Sequence, residues 1–219
     1  MARAAVLDVD GTLIDANYQH VLAWHEAFSR SGIVVPLRRI HRHVGMGGDQ
    51  LVPSLIGEEA EARQGDEIRD ARDAAYEKLI DGVQPFAGAA ALLRELKQRG
   101  LTVVLASSSP DDEIDHYLDL LEAREAVDAW TTKDDVGSTK PQPDLVHVAL
   151  EKAGTEDAVM VGDTVWDIEA AKKAGLDTLC VLSGGAYSEQ ELLDAGAAAV
   201  FESAEELRRR LDETPLAAA

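Results

Sequence analysis

One cysteine, Cys180, stands in 219 residues, so no internal disulfide can form and an apolar core must hold the fold. Cys180 lies in the apolar run Thr178-Leu179-Cys180-Val181-Leu182, which predicts a buried, inert thiol and suits a reducing cytoplasm. No apolar stretch approaches the roughly 18 to 20 residues of a membrane span. The apolar opening, Ala4 to Val9, is interrupted by Asp8 and Asp10, so export is not expected. Basic residues are scarce: 21 Lys and Arg face 41 Asp and Glu, a formal net charge of −20. Such a chain repels nucleic acid and anionic membranes, and neither is an expected partner. Any phosphate site must then be locally positive. One stretch reverses the trend, since Ala27 to Gly48 holds Arg30, Arg38, Arg39 and Arg42 and no acid. A solvated arginine face is the simplest account of it. Internal repeats, low-complexity linkers and heptads are also missing.

What is present is an alternation of short β-rich runs with helical patterns. Val6-Leu7-Asp8-Val9-Asp10-Gly11-Thr12 reads as a buried strand running into an acidic, Gly-containing turn. Further strands are predicted over 102–106, 126–131, 158–161, 178–182 and 198–201. Helices over 88–99, 143–153 and 167–174 each end at a glycine, and Ser109-Pro110 offers an N-cap for a helix through about Glu122. The pattern predicts an α/β fold, a Rossmann-like parallel sheet sandwiched by helices. Residues 16–82 break it with helix-like patterns only: Asn17 to Ser31 puts Val21, Trp24, Ala27 and Phe28 on one face, and Glu58 to Ile80 is a long charged stretch. An all-helical cap inserted after the first strand is expected, giving a core of 1–15 and 83–219 and a cap of 16–82. The end, Pro215 to Ala219, reads as a frayed tail.

Four clusters carry chemistry. Asp8 and Asp10, two apart at a strand end, point to the same side and repel each other unless a cation or proton intervenes. Asp163 and Asp167 lie four apart where a later strand gives way to a helix. Ser107 and Lys140 sit at other strand exits, where open parallel sheets bind ligands. Each has a plain structural alternative as a turn acid, helix cap or solvated lysine. Their joint order at successive strand ends is what points to phosphoryl transfer.

In that order the clusters resemble the four motifs of the haloacid dehalogenase-like hydrolase superfamily: Asp8-Val9-Asp10-Gly11-Thr12, Ser107, Lys140 in Thr139-Lys140-Pro141, and Gly162-Asp163 with Asp167. Thr139 stands where a glycine is common. The helical insertion, with Asp15, His20 and Trp24, resembles the cap of the phosphoglycolate phosphatase and β-phosphoglucomutase-like branch. The resemblance implies Asp8 as nucleophile and Asp10 as acid and base. It implies Mg²⁺ held by Asp8, Asp10 through its main-chain carbonyl, and Asp163, with Asp167 a ligand or an outer support. Ser107, Ser108 and Lys140 would hold phosphoryl oxygens, and the cap, through His20, Arg42, Gly47 and Gly48, would contact the substrate. The expected partner is a small phosphorylated metabolite, and the expected assembly a monomer or homodimer.

Related activities leave different traces. A sugar phosphomutase of the β-phosphoglucomutase type often carries an arginine near Gly48, which this chain lacks unless Arg38, Arg39 or Arg42 substitutes. Dehalogenases typically have tyrosine in place of Asp10, and a phosphonatase needs a cap lysine, yet Lys78 is the only lysine between Ala16 and Gly82. An idle scaffold would not need both Asp8 and Asp10. A magnesium-dependent phosphatase is the expectation.

Overall fold

The computed structural model describes residues 2–217. The chain enters through β1 (Ala4–Leu7), and an antiparallel ribbon of β2 (Ile14–Asp15) with β3 (Gln84–Pro85) brackets the helical insertion. Within the insertion lie α1 (Asn17–Arg30), α2 (Leu37–His41), α3 (Gly48–Ile56) and α4 (Glu58–Tyr76). Then follow α5 (Ala89–Gln98), β4 (Thr102–Ala106), α6 (Asp111–Leu121), β5 (Ala129–Thr131), α7 (Asp144–Ala153) and β6 (Ala158–Gly162). The chain closes with α8 (Val165–Lys173), β7 (Asp177–Val181), α9 (Glu189–Ala195), β8 (Ala199–Phe201) and α10 (Ala204–Arg209).

The main sheet is parallel, in the order β5-β4-β1-β6-β7-β8. Because β1 is central and covered on both faces, its whole run Ala-Ala-Val-Leu is buried rather than alternating. Period 2 still divides the side chains. Ala5, Leu7, Val103, Leu105, Val159 and Val161 pack with α5, α6 and α10, while Val6, Val104, Ala106 and Met160 pack with α7 and α8. Cys180 is buried beside Ile168 and Leu192, as its apolar context predicts.

The insertion has its own apolar centre: Trp24, Phe28, Ile40, Leu51, Val52 and Ile68 pack together. The predicted face Val21, Trp24, Ala27 and Phe28 is indeed the buried face of α1. Among the described residues 16–82 contain no strand, only an isolated bridge between Val44 and Met46.

Four sequence expectations are corrected. The strand expected from Ala126 begins at Ala129, because Arg124–Ala126 forms a 3₁₀ turn. The helix expected to Ile80 stops at Tyr76 and a separate 3₁₀ turn, Ile80–Gly82, leads into the ribbon. Ser109 does not cap α6; its N-cap is Pro110, whose side chain offers no hydrogen bond, and the Ser109 hydroxyl is spent elsewhere. Residues 215–217 are not frayed: Leu216 is fully buried in the core, and the Pro215 carbonyl accepts a hydrogen bond from the Ala2 amide at 3.0 Å. Ala218 and Ala219 lie outside the described residues.

Candidate active site

Parallel register brings the loops after β1, β4 and β6 to one sheet edge, since Leu7 pairs with Leu105 on one side and Val161 on the other. Asp8, Ser107 and Asp163 therefore emerge side by side. Gly11 turns the chain back over them with φ +83°, and a β-carbon there would lie 2.4 Å from Asp163 Oδ2. Glycine is needed for both the conformation and the space. The Thr12 hydroxyl lies between Asp163 Oδ1 at 3.1 Å and Asp8 Oδ2 at 3.4 Å. Asn17 Nδ2 donates to Asp163 Oδ2 at 3.3 Å.

Lys140 is fully buried, and its ammonium donates to Asp8 Oδ1 and faces Asp167 Oδ1 at 2.8 Å. The other Asp167 oxygen closes a capping box at the start of α8, accepting from the Thr164 hydroxyl at 2.7 Å and amide at 3.1 Å. One carboxylate thus fixes both the helix and the lysine.

Asp8, Asp163 and Asp167 each place an oxygen within 4.8 Å of the others, and all three are buried. Burial, with the charges of Asp167 and Asp10, pushes the Asp8 carboxyl up to about 7 even though Lys140 opposes it. Burial, then Asp167 and Asp8, push Asp163 well above the usual carboxylate range against the pull of Thr12 and Asn17. Lys140 is held above its ordinary value: burial works against its charge, and Asp167 and Asp8 more than compensate. Three acids stand beside one lysine that pairs with two of them, and the surplus negative charge sits on hard oxygen donors, the setting that suits a small divalent cation.

Asp10 faces different partners. Its Oδ1 is 2.9 Å from His20 Nε2 and its Oδ2 accepts from the Ser109 hydroxyl at 3.1 Å. Burial would raise this carboxyl, yet His20, Tyr117 and Ser109 hold it below the ordinary value. On its other side the His20 ring meets Arg72: Nη2 approaches Nδ1 at 2.6 Å. A guanidinium can only donate, so Nδ1 accepts and the ring proton facing Asp10 is on Nε2. Arg72 itself reaches across to the core, donating to Glu113 Oε1 at 2.9 Å, and His20 stacks on Tyr76 at 4.1 Å.

A cavity of about 320 Å³ opens above Asp8 and Asp10, walled by the sheet edge and the insertion. Of the residues expected there, His20, Ser108, Gly47 and Gly48 line it. Ser107 is buried beneath, accepting from the Ser109 amide at 3.0 Å. At both glycines there is no room for a side chain. A β-carbon on Gly47 would lie 2.3 Å from Thr139 Oγ1, and one on Gly48 would crowd Trp24 and Arg69 at 3.0 and 3.1 Å.

Arg42 is a correction: it faces away from this cavity. Its guanidinium pairs with Glu191 at 2.9 Å and lies over the Tyr187 ring, so it fastens the insertion to α9. Arg38 and Arg39 are exposed, as a solvated face requires. The cations that do reach the cavity are Arg69, Arg72 and Lys133, none of which was singled out from sequence. Helical spacing held a signal for Arg72, since it lies on the α4 face of Ile68, Ala75 and Tyr76, where a buried arginine demands a partner.

A family model for haloacid dehalogenase-like hydrolases matches residues 2–175. Validoxylamine A 7'-phosphate phosphatase of Streptomyces hygroscopicus subsp. limoneus is 26% identical over 209 residues, covering 89% of this chain and 92% of that protein. Phosphoglycolate phosphatase of Rhodospirillum rubrum is 28% identical over 214 residues, covering 92% and 88%. The crystal structure of a hydrolase from Pseudomonas syringae superimposes with a TM-score of 0.89 at 35% identity, over 96% of this chain and 98% of that one. The family match runs through every strand whose loop carries one of the clustered acids, and the structural likeness extends it to nearly the whole molecule; this chain belongs to the haloacid dehalogenase-like hydrolase family.

Proposed function

We propose that the protein is a Mg²⁺-dependent phosphatase that hydrolyses a small organic phosphate monoester through an aspartyl-phosphate on Asp8. One observation carries this reading: two buried aspartates at a single cavity have opposite surroundings. Asp8 touches a buried lysine and lies against further acids, whereas Asp10 accepts hydrogen bonds from His20 and Ser109. The first suits a nucleophile, the second a proton carrier.

In the first half-reaction an Asp8 oxygen attacks phosphorus, the bond from phosphorus to the alcohol oxygen breaks, and that oxygen takes a proton from Asp10. In the second, water attacks phosphorus and gives its proton to Asp10, the bond to Asp8 breaks, and inorganic phosphate leaves. The hydrogen bonds around Asp10 favour its carboxylate, the form that accepts the proton of water. An entering phosphoryl dianion works in the opposite direction and favours the acid that the first half requires.

Asp8, Asp163 and the Asp10 main-chain carbonyl would hold Mg²⁺, which when bound supplies positive charge to the phosphoryl oxygens. Asp167 stands in the same cluster with Oδ1 beside Lys140 and Oδ2 in the capping box, which suits a ligand or an outer support that also holds Lys140. Lys140 and Ser108 would face the phosphoryl oxygens, with Ser107 shaping the loop beneath. Residues 16–82 act as the cap that covers the site and excludes water.

The two relatives named above act on different phosphates, so the ester must be found by assay. Purified protein should release phosphate from p-nitrophenyl phosphate and from members of a metabolite-phosphate panel with Mg²⁺. EDTA should stop it, and Asp8→Asn should lower turnover by about a thousandfold or more. Undiminished turnover in EDTA, or in Asp8→Asn, rules this reading out.

A further inference from the structure

We propose that the alcohol portion of the substrate carries no second negative charge: it is a neutral or cationic polyhydroxylated group, not a second phosphate or a carboxylate. This rests on the phosphatase reading above and deepens it.

The part of the cavity wall remote from Asp8 has three cations, and each is already matched inside the protein. Arg69 donates to Glu61 at 2.8 Å and to Asp66 at 2.7 Å. Arg72 donates to Glu113 and Asp73, both at 2.9 Å, and spends its other terminal nitrogen on His20. Lys133 lies 3.6 Å from Asp73. Glu113 is only 6% exposed, and its pairing with Arg72 cannot be exchanged for a ligand anion without stranding a buried charge.

Two more carboxylates face the same space. Asp49 is held by the Thr139 amide at 3.1 Å and by Gln50 at 2.9 Å, and Asp134 makes no ion pair among the described residues. On the wall itself Arg69, Arg72 and Lys133 face Asp49, Asp73 and Asp134, three positive charges against three negative, and Glu61, Asp66 and Glu113 behind the wall pair with the two arginines as well. The wall has no positive charge to spare before any ligand arrives. The arginine-rich stretch of α2, which could have reversed this, points elsewhere, with Arg42 committed to Glu191. The net charge of −20 adds a repulsive background. Lys140 at the phosphoryl end is already paired with Asp8 and Asp167, so the one cation that would come unmatched to the cavity is the ion proposed there. Carboxylates, main-chain groups and the Trp24 ring on the same wall are the usual partners of hydroxyl groups and sugar faces.

The test uses three six-carbon sugar-derived phosphates alike at the phosphoryl end: glucosamine 6-phosphate, glucose 6-phosphate and 6-phosphogluconate, which are cationic, neutral and anionic at the other. Each is measured with Mg²⁺ as a substrate and as a competitor of p-nitrophenyl phosphate hydrolysis, so that affinity is read even without turnover. The first two should exceed the third by about tenfold or more in kcat/KM or in competition, the size of one partly screened charge contact. Glu61→Gln, which leaves Arg69 with Asp66 as its one carboxylate partner, should narrow that gap. A preference for 6-phosphogluconate, no competition by any of the three, or a gap untouched by Glu61→Gln overturns the proposal. If p-nitrophenyl phosphate itself is not hydrolysed by the wild-type protein with Mg²⁺, the phosphatase reading fails and takes this one with it; normal hydrolysis with an anionic preference sinks this one alone.

Discussion

The sheet edge and the helical insertion handle charge in opposite ways. At the sheet edge Asp8, Asp163 and Asp167 crowd within 4.8 Å, and one lysine pairs with two of them. In the insertion Arg69 and Arg72 are each met by two carboxylates. A buried charge without a partner is costly, and a fold tolerates it where something else arrives to neutralise it. A matched pair is finished structure. On the proposed function, the difference separates the part of the cavity that would bind a cation and a phosphoryl group from the part that shapes the remainder.

The comparison breaks most readily at Arg72, where the largest effect on stability is expected. Arg72→Met removes the partner of buried Glu113 and the donor to His20 Nδ1, and should cost about 3–5 kcal/mol in denaturant unfolding. Adding Glu113→Gln should recover much of that loss. An Arg72→Met protein as stable as wild type would mean that the network is not matched as described.

The sheet edge should respond in the reverse sense. Asp163→Asn removes one of the surplus buried charges, so in EDTA the variant should be more stable than wild type by about 1–3 kcal/mol while losing phosphatase activity. Mg²⁺ should stabilise the wild type much more than the variant. A less stable variant in EDTA would show that Asp163 is already compensated without a cation.

Legibility in the sequence followed the same division. The strands after which Asp8, Ser107 and Asp163 emerge are short apolar runs ended by polar loops, and period 2 with parallel register places those loops together without further knowledge. Apart from the loop 44–47, cavity residues of the insertion project from helices, where a position reaches the cavity only if the helix is rotated toward it. That rotation is fixed by packing of Trp24, Phe28, Leu51 and Ile68, which no local pattern reveals. Arg42 therefore read as a substrate contact and proved a fastener, while Arg69 passed unnoticed on a charged helix. Ser109 read as a helix cap because Ser-Pro is a common start, but tertiary contact with Asp10 took its hydroxyl. The ribbon Ile14–Asp15 with Gln84–Pro85 was hidden because two-residue strands separated by the whole insertion carry no periodicity.

The smallest effect tests where the two regions meet. Thr139 directly precedes Lys140, and the space its side chain takes is left free from the other side by Gly47 on the insertion. The Gly47 amide donates to Thr139 Oγ1 at 3.0 Å, and Asp49 accepts from both the Thr139 hydroxyl and its amide. Gly47 has φ −72°, which alanine adopts freely, so any penalty of Gly47→Ala comes from its methyl group meeting Thr139 at 2.3 Å. That collision holds the insertion off the sheet edge beside Lys140 and should raise KM about tenfold, with kcat reduced less. Thr139→Gly alone loses the hydroxyl contacts and should raise KM about threefold. The double variant has nothing left to collide, and should fall back to the level of Thr139→Gly instead of multiplying the two effects. Multiplicative losses would mean that Gly47 acts through its own backbone and that the insertion is not seated on Thr139.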